Sequence, residues 1–442
     1  MQSFVNILTV YKNTAERNFH QLSPIYRDKN NLEKAIENLI REHLNSGSVQ
    51  GKKILIKPNW VKHSSFPEDE FCLRTHDNFT LAVLETFLKM RPAHIVIGDS
   101  PIQLTDWNKM LSSTFYSDII SLSARYNVPV SVIDFRRRKY SMKENSPLTE
   151  IRPLSEYVIF DLGKASMLEP ITSQGRTKFR VTNYDPDRMQ KAHAPGVHKY
   201  CIAKEFFDAD IVISLPKIKT HQKTGITGAL KNLVGINGDK DFLPHHRIGG
   251  TKRGGDCYPG GSYLRYWSEL ALDEANRRQG RRSFWYWQKL SSILWRLSMP
   301  GPEHRIDAGW YGNDTTWRMV IDLNRIAEYG RADGTLAQDK QRQIYSLCDG
   351  IIAGQGDGPL QPEPLPLGII SFSDDSALND RAMALLMGFD PRKLPLLKNS
   401  NPTGGSDTIT FNGKKIHLSD LNAYALKALP PKGWINYIDN GR

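Results

Sequence analysis

Short apolar runs, each followed by a stretch with helical spacing, constrain the fold of this chain more than any other feature of its sequence. In the first third, the runs that predict strands are Phe4 to Val10, Lys53 to Ile56, His94 to Gly98 and Val130 to Phe135. After the second run, Leu81, Leu84 and Leu88 recur at helical spacing, with Asp77 or Asn78 as the N-terminal cap. Strands that alternate with helices predict an α/β fold, in which a largely parallel or mixed sheet is flanked by helices.

The same alternation returns in the second half of the chain. Further strands are predicted at Ile211 to Leu215, Tyr345 to Leu347, Ile351 to Ala353 and Leu367 to Ser373. A helix is predicted over Ser376 to Met387, and Asn412 with Gly413 predicts a hairpin turn. We therefore expect an α/β domain over residues 1–246 and a C-terminal part, residues 311–442, that completes the fold.

Residues 247–310 are expected to form an insertion. It opens with three glycine pairs and continues with helices over Tyr263 to Arg277 and Ser283 to Ser298. The second helix is basic and amphipathic, and it carries three tryptophans, Trp285, Trp287 and Trp295. Such a helix can lie on a membrane surface, or it can pack on the rest of the protein or on a second subunit of a homo-oligomer. The sequence leaves these alternatives open.

Charged and polar residues follow several of the strands. Parallel sheets bind ligands beyond the carboxyl ends of their strands, so these residues are candidate ligand-binding groups. Lys57, Lys217 and Lys219 directly follow apolar runs and would form a cationic cleft if their strands are neighbours. The alternative is that they are solvated turn lysines. The candidate substrate-binding residues are Lys57, Asn59, Asn232, Asn313, Asp314, Asp349 and Asp357.

Two of these candidates, Asn313 and Asp314, lie in the stretch Trp310 to Arg318, which opens a further helix. Asp314 is suited to cap that helix. The same mixture of aromatic and polar groups also suits a sugar or nucleotide, since rings stack on rings and Asn and Asp bind hydroxyls. Both interpretations are kept.

The segment Pro216 to Gly235 has the highest density of chemically active residues. We expect its catalytic residues to be Lys217, Lys219, His221 and Lys231. Glycines 225 and 228 would let the amides of a following helix approach an anion closely. Because two lysines precede His221, its pKa should be lowered, which favours a neutral acid–base group at pH 7.

Two nucleotide-binding motifs are missing from the sequence. The Pro216 to Gly235 segment contains no G-x-x-x-x-G-K-[ST] sequence, so it is not a P-loop. The Gly354 to Gly358 loop has G-x-G-x-G spacing, and the prolines that follow it prevent the helix that would hold a pyrophosphate. A nicotinamide cofactor is therefore not expected.

A divalent metal is one interpretation of the histidines around this segment. His245, His246 and Asp99 are its candidate ligands, with His221 and Asp256 as further imidazole and carboxylate groups. Their spacing matches no standard metal motif. The histidines are equally suited to binding anions, to acid–base work near neutral pH, or to a surface position.

The net charge and the cysteines indicate which ligands and cofactors to expect. With 59 Lys and Arg against 47 Asp and Glu, the formal net charge is +12, and we expect small anionic ligands. No nucleic-acid-binding motif is present, so nucleic acid is not an expected partner. No iron–sulfur cluster is expected either, because no C-x-x-C pair occurs among Cys72, Cys201, Cys257 and Cys348.

The sequence also bears on location. Met1 to Val10 lacks the charged and apolar regions of a secretory signal, and no run approaches the roughly 20 apolar residues of a membrane span. A cytoplasmic protein is therefore expected.

Five motifs occur in an order that resembles the domain-of-unknown-function 362 family. They are Ile56 to Asn59, Gly98 to Pro101, Pro216 to His221, Gly228 to Gly235 and Asp349 to Ile352. Many members resemble redox-associated proteins with an appended ferredoxin-type cluster domain, whose cysteines this sequence lacks. At the level of fold alone, the pattern is also similar to nickel-pincer lactate racemases, in which histidines and a lysine surround an organometallic cofactor.

Two functions remain as hypotheses. The leading one is an enzyme that acts on a small anionic substrate, either phosphorylated, a nucleotide or a carboxylate, through the lysines and His221, with or without a metal. The alternative is a non-catalytic binding or assembly protein that uses the helix Ser283 to Ser298 at a membrane surface or on a partner.

Overall fold

A mixed sheet forms the centre of the molecule, for which a computed structural model describes residues 3–140, 149–172, 179–298, 307–400 and 407–438. Within these ranges the sheet has twelve strands. In chain order they are β1 (Val5–Thr9), β2 (Lys53–Pro58), β3 (His94–Asp99), β4 (Val130–Asp134), β5 (Ile211–Leu215), β6 (Lys217–His221), β7 (Gly225–Thr227), β8 (Gln343–Gln355), β9 (Glu363–Leu365), β10 (Ile369–Ser373), β11 (Thr408–Phe411) and β12 (Lys414–His417).

The spatial order along the main path is β12-β11-β1-β10-β8-β5-β2-β3-β4. Strands β8, β5, β2, β3 and β4 are parallel, while β10 is antiparallel to both β8 and β1. Strand β6 continues from β5 and pairs with the second half of β8 and with β7. The α/β prediction is therefore confirmed, and the sheet is mixed.

In the described residues, five longer helices cover the two faces of this sheet, while the fourth and fifth in chain order pack on each other beside it. In chain order the longer helices are α1 (Lys29–Ile40), α2 (Asp77–Leu88), α3 (Ser113–Tyr126), α4 (Tyr263–Arg277), α5 (Ser283–Ser298), α6 (Thr316–Tyr329) and α7 (Ser376–Leu386). Shorter helices span Phe19–Leu22, Ser46–Val49, Asp69–Cys72, Trp107–Met110, Pro186–Ala192, Lys204–Asp208, Ala229–Asn232 and Pro395–Ser400. In the described part of the chain, every helix is too short or too polar to cross a bilayer.

The apolar run in β2 shows why the sheet is covered twice. Successive strand residues point to opposite faces. Ile54 and Ile56 pack in one apolar layer with α1, α2 and α3, whereas Leu55 packs in a second layer with α6 and α7. All three side chains are buried, as expected for a strand with both faces covered.

Most predicted elements lie within a few residues of their observed bounds, but some details were wrong. The two runs near Tyr345 and Ile351 form the single strand β8. Helix α2 is capped by His76, whose Nδ1 accepts a hydrogen bond from the Asn78 main-chain N–H at 3.1 Å, and not by Asp77 or Asn78. The end of the expected insertion, residues 299–306, lies outside the described residues.

Smaller sheets complete the structure beside the main one. Tyr157–Asp161 and His193–Ala194 both pair with Val197–Ala203. Phe179–Arg180 pairs with His246–Arg247, and Arg138–Lys139 pairs with Thr149–Glu150. Helices α4 and α5 pack on each other, with the Ser268 hydroxyl of α4 donating to the Ser291 carbonyl of α5 at 2.7 Å. We call α4 and α5 the helical hairpin.

A buried ion pair ties β6 to β8. Lys217 Nζ lies 2.8 Å from Asp349 Oδ2 and 3.0 Å from the Tyr26 hydroxyl, and that hydroxyl donates to Asp349 Oδ1 at 2.5 Å. The His76 main-chain N–H also donates to Asp349 Oδ2 at 3.1 Å. Both charged side chains are fully buried, so each depends on the other for its charge compensation.

We predict that Asp349→Asn lowers the free energy of unfolding by about 3–5 kcal/mol, because it leaves the buried Lys217 ammonium without a counter-charge. Urea unfolding followed by circular dichroism measures this. The control is Asp118→Asn, which breaks an exposed pair with Lys29 and should cost about 0–1 kcal/mol. Equal effects of the two substitutions would contradict a structural role for the buried pair.

Candidate functional site

Lys57, at the carboxyl end of β2, directs its ammonium group at three neighbouring oxygens. Its Nζ donates to Asp99 Oδ1 at 2.7 Å, to the Pro58 carbonyl at 3.1 Å and to Asn232 Oδ1 at 3.3 Å. Gly235 lies so close to this pair that a Cβ there would be 1.9 Å from Asp99 Oδ1. Lys57 therefore neutralises Asp99 within the fold.

The two asparagines expected to bind substrate hold this pair in place. Asn59 Nδ2 donates to Asn232 Oδ1 at 3.1 Å. Asn232 Nδ2 in turn lies 3.1 Å from the Lys57 carbonyl oxygen and 2.9 Å from the Ser214 hydroxyl oxygen. Because β5 pairs with β2 so that Ser214 is level with Lys57, the asparagine links the ends of both strands.

Four lysines near this pair have no carboxylate within ion-pair distance in the described residues, and we call them the lysine cluster: Lys219, Lys223, Lys231 and Lys240. Lys219 Nζ donates to the Leu73 carbonyl and, at 3.1 Å, to the Pro359 carbonyl. Lys240 Nζ donates to the Ser100 carbonyl at 3.0 Å. Neutral carbonyls solvate these two ammonium groups without compensating their charge.

Lys223 and Lys231 have still fewer contacts. Lys223 Nζ is a buried atom without a hydrogen-bond partner, and no oxygen of the described residues accepts a hydrogen bond from Lys231 Nζ. Both side chains are half-buried, so they line the accessible side of the cluster. The buried Lys223 ammonium group has no acceptor among the described residues, which is costly, and an incoming anion would remove that cost.

Three lysines of the cluster, Lys219, Lys231 and Lys240, have pKa values lowered towards neutral pH. Burial, and after it the positive charges of Lys240 and Lys57, lower the pKa of Lys231 to about 7. Burial likewise lowers the pKa of Lys219 to about 7 and that of Lys240 to about 8. The Asp99 carboxylate opposes these shifts but is already paired with Lys57. The cluster therefore carries positive charge that the protein does not compensate.

Two neutral histidines, His221 and His245, lie close enough to Lys231 for its charge to act on them. His221 Nδ1 accepts a hydrogen bond from the Lys223 main-chain N–H at 3.0 Å, which assigns the ring proton to Nε2. His245 Nδ1 lies 2.6 Å from the Leu243 carbonyl oxygen, which assigns its proton to Nδ1 and leaves a lone pair on Nε2. Burial, followed by the charge of Lys231, lowers the pKa of both rings well below the usual value. One ring thus offers a donor and the other an acceptor.

Gly228 does bring helix amides to an anion, but the anion belongs to the protein. The Ala229 and Leu230 main-chain N–H groups donate to the Asp380 carboxylate of α7 at 2.6 and 3.0 Å. A Cβ at position 228 would lie 2.1 Å from Asp380 Oδ1. The expectation of an external anion at this helix start was wrong, since the side chain of Asp380 occupies it.

The other expected substrate-binding residues have protein partners. Asn313 Oδ1 accepts hydrogen bonds from the main-chain N–H groups of Thr315 and Thr316, so Asn313 rather than Asp314 caps the main chain at this helix start. Asp314 pairs with Arg318 at 3.2 Å, and Asp357 pairs with Lys432 at 2.8 Å. These pairs do not include a member of the lysine cluster.

The expected metal ligands are separated. Asp99 is held by Lys57 and by the Trp60 main-chain N–H at 2.7 Å, and His245 belongs with the lysine cluster. His246 instead adjoins Cys257 and Glu269. No sequence signal identified Glu269, because its burial on α4 depends on how that helix packs. Lys240, likewise missed, is buried in a loop after two glycine-containing turns.

A surface cleft of about 260 Å³ lies beside the Lys217–Asp349 pair and not beside the lysine cluster. Among the residues that line it are Tyr26, Arg27, Glu70, His76, Asp77 and Asp118. Its charged groups are of both signs and mostly acidic. The lysine cluster is therefore the candidate anion site.

The fold and the lysine cluster define an α/β protein with a group of lysines near the ends of its central strands that have no acidic partner in the described residues. The chain belongs to the family described as a domain of unknown function, DUF362, whose model matches residues 164–385. That match contains the lysine cluster and both histidines. The resemblance inferred from the five motifs is thereby confirmed.

Two individual proteins resemble the chain more remotely. A thylakoid-associated protein from Synechocystis sp. is 23% identical over 207 residues, which are 47% of this chain and 41% of that protein. The chain thus aligns with less than half of this relative. The crystal structure of a Thermotoga maritima protein covers 86% of this chain and 58% of its own, at 8% identity and a TM-score of 0.32.

We predict that Lys231→Met keeps or raises the melting temperature, because it removes a desolvated ammonium group among like charges. The folded-state pKa lies below the unfolded value, so this lysine destabilises the fold fully below about pH 7 and less as the pH rises towards 10.5. The gain should therefore be larger at about pH 6 than at about pH 10. Differential scanning calorimetry measures it, with exposed Lys34→Met as control. A lower melting temperature for Lys231→Met alone at about pH 6 would refute this.

Proposed function

We propose that this protein is an enzyme that binds a small anionic substrate, a phosphorylated compound, a nucleotide or a carboxylate, at the lysine cluster. One observation carries the proposal: among the described residues Lys223 and Lys231 have no hydrogen-bond acceptor, while two histidines of opposite tautomer adjoin them. Folds tolerate uncompensated buried charge at functional sites, where a ligand completes the site. The residues matched by the family model include all of these groups.

Anion binding follows from the electrostatics of the cluster. Lys219 and Lys231, whose pKa values are lowered to about 7, are about half protonated at neutral pH. An oxyanion beside them favours their charged forms, so binding takes up protons. Lys231 contacts the anion directly in this proposal, because it is half-buried and has no other acceptor. Lys219 is fully buried and acts through its field.

The histidines provide the acid–base chemistry. His245 offers an unprotonated Nε2 and stays neutral near pH 7, so it is the candidate general base. His221 offers an Nε2–H that can donate to negative charge developing on the substrate. The proposed reaction class is proton abstraction from an anion held by Lys231. Lys217, originally expected to be catalytic, serves the fold through its pair with Asp349.

The test is calorimetric titration with sulfate, which stays fully ionised between about pH 6 and 9. We expect one sulfate per chain, with affinity that falls as the pH rises through 7 because Lys231 loses its proton. Lys231→Met should weaken binding by about tenfold or more, the loss of a charged hydrogen bond worth about 1.5–3 kcal/mol. Lys34→Met is the matched control, since it removes the same charge from an exposed helix position.

Two results of this titration would reject the anion site. One is the absence of binding by the wild-type chain, and the other is equal binding by Lys231→Met and the wild type. Phosphate and oxalate, titrated in the same way, compare phosphorylated and carboxylate substrates.

A second candidate function is docking on a membrane surface through the helical hairpin. Its α4 exposes Tyr263, Trp267 and Leu270, three residues on one helical face, and its α5 exposes Trp285, Tyr286, Ile293 and Leu297. Exposed basic residues flank them on or beside α5, namely Arg281, Arg282, Lys289 and Arg296. This pairing of aromatic and basic residues suits an anionic lipid surface. The relative from Synechocystis is named as thylakoid-associated.

Co-sedimentation with vesicles tests this second function. The chain should bind phosphatidylglycerol vesicles at low salt, and phosphatidylcholine vesicles more weakly. Trp267→Ser with Trp285→Ser should abolish binding, whereas Phe66→Ser, an equally exposed ring outside the hairpin, should not. Trp295 is unsuitable for this test because it is buried against Tyr258. Unchanged binding by the double variant would exclude the hairpin.

A further inference from the structure

Outside the lysine cluster, three side chains of different chemistry meet in the interior. They are His246 at the end of a short strand, Cys257 in a loop and Glu269 on α4, and all three are buried. One imidazole nitrogen, the Cys257 sulfur and one carboxylate oxygen lie within 4.8 Å of one another. In the described part of the chain, these three residues are the group of His, Cys, Asp or Glu side chains whose ligand atoms lie close enough together to hold a metal ion.

The glycines of the insertion bring these residues together. Gly249 has φ +88°, a left-handed conformation that favours glycine. At Gly255 a Cβ would lie 2.1 Å from the Gly249 carbonyl oxygen and 2.2 Å from that of Ile248. The loop therefore folds back on itself only with glycine at this position, and this fold places Cys257 beside His246.

A side-chain hydrogen bond links Cys257 and Glu269, whereas the imidazole is more widely spaced from the carboxylate. His246 Nε2 and Glu269 Oε1 are 3.8 Å apart, too far for a hydrogen bond. Around tetrahedral zinc, with bonds of about 2.0–2.3 Å, neighbouring ligand atoms lie roughly 3.3–3.7 Å apart. A small inward movement of the side chains would close the site. Asp307 Oδ1 lies 4.0 Å from the Cys257 sulfur, at the edge of the group.

Main-chain hydrogen bonds hold the Glu269 carboxylate and the loop that carries Cys257. The Gly249 N–H donates to Glu269 Oε2 at 2.8 Å, which leaves Oε1 towards His246. The Cys257 N–H donates to the Gly249 carbonyl at 3.1 Å, and the Ala308 N–H donates to the Cys257 carbonyl at 2.8 Å. Metal sites in proteins are typically built with such outer hydrogen bonds, which fix the ligands before the ion arrives.

Burial disfavours negative charge on the two acidic side chains of the group. Burial raises the pKa of Glu269 to about 8 and raises that of the Cys257 thiol well above its ordinary value. Both acids are thus largely neutral at pH 7. A divalent cation would displace these protons and supply the counter-charge that the interior lacks. Nitrogen, sulfur and oxygen ligands together favour a borderline metal such as zinc over calcium or magnesium.

We propose that His246, Cys257 and Glu269 bind one divalent transition-metal ion of the zinc class, with a fourth position left for water, Asp307 or a substrate atom. The proposal does not rest on the anion site or on catalysis. Lys223 acts electrostatically on both Cys257 and Lys231, so the metal would lie next to the lysine cluster.

Cobalt titration of the reduced full-length chain tests the proposal, because thiolate-bound cobalt has a near-ultraviolet charge-transfer band. We expect saturation at one equivalent, with the band lost on addition of zinc. Cys257→Ser should lose the band. Glu269→Gln should weaken affinity by on the order of a hundredfold, since even outer-shell changes cost 10–100-fold. Cys201→Ser, another buried cysteine, should behave like the wild type.

X-ray absorption at the cobalt edge keeps the test independent of whether the variants fold. The wild-type chain should show one sulfur neighbour and otherwise nitrogen or oxygen. Failure to bind one equivalent, an absence of sulfur, or a band that survives in Cys257→Ser would overturn the proposal. Lys231→Met should bind cobalt as the wild type does, so loss of sulfate binding alone would count against the proposed function and not against the metal site.

Discussion

The cost of burying lysine ammonium groups organises the centre of this molecule. At two positions the protein meets that cost with an acid: Lys57 pairs with Asp99, and Lys217 pairs with Asp349. In the part of the chain that the structure describes, the lysine cluster has no such acid, and burial lowers the pKa of Lys231 to about 7. The paired lysines hold the strand ends in register, and this rigid frame keeps the unpaired ones desolvated. The fold and the proposed function therefore both depend on the free-energy cost of burying lysine ammonium groups.

The sequence predicted where charged residues gather but not which of them pair. Lys57 and Lys217 were expected to bind ligand because they follow strands, and their acidic partners lie 42 and 132 residues away in the chain. Only the strand order brings those partners together. For the same reason the helix start after Gly228 was expected to bind an external anion, whereas Asp380 arrives from 151 residues away. Local sequence patterns predicted the strands, whereas contacts between residues far apart in the chain determine which charged groups are paired.

In the insertion, too, local patterns predicted the helices but not the contacts of their side chains. Helical spacing predicted α4 and α5 with the observed bounds, because their apolar periodicity is local. It did not show that Trp295 is buried while Trp285 is exposed, nor that Glu269 faces inward. These outcomes depend on how the hairpin packs on the glycine-rich loop. The family model covers these residues as well as the lysine cluster, so both candidate sites lie in the matched region.

The central claim is that Lys231 is an uncompensated lysine that an anion completes, and NMR of lysines labelled at the ε-carbon tests it most directly. The account predicts a signal that titrates near pH 7, disappears in Lys231→Met, and titrates at higher pH when sulfate is added. The claim would be contradicted if the signal assigned to Lys231 titrates at the ordinary value near 10.4, or if sulfate leaves its titration unchanged.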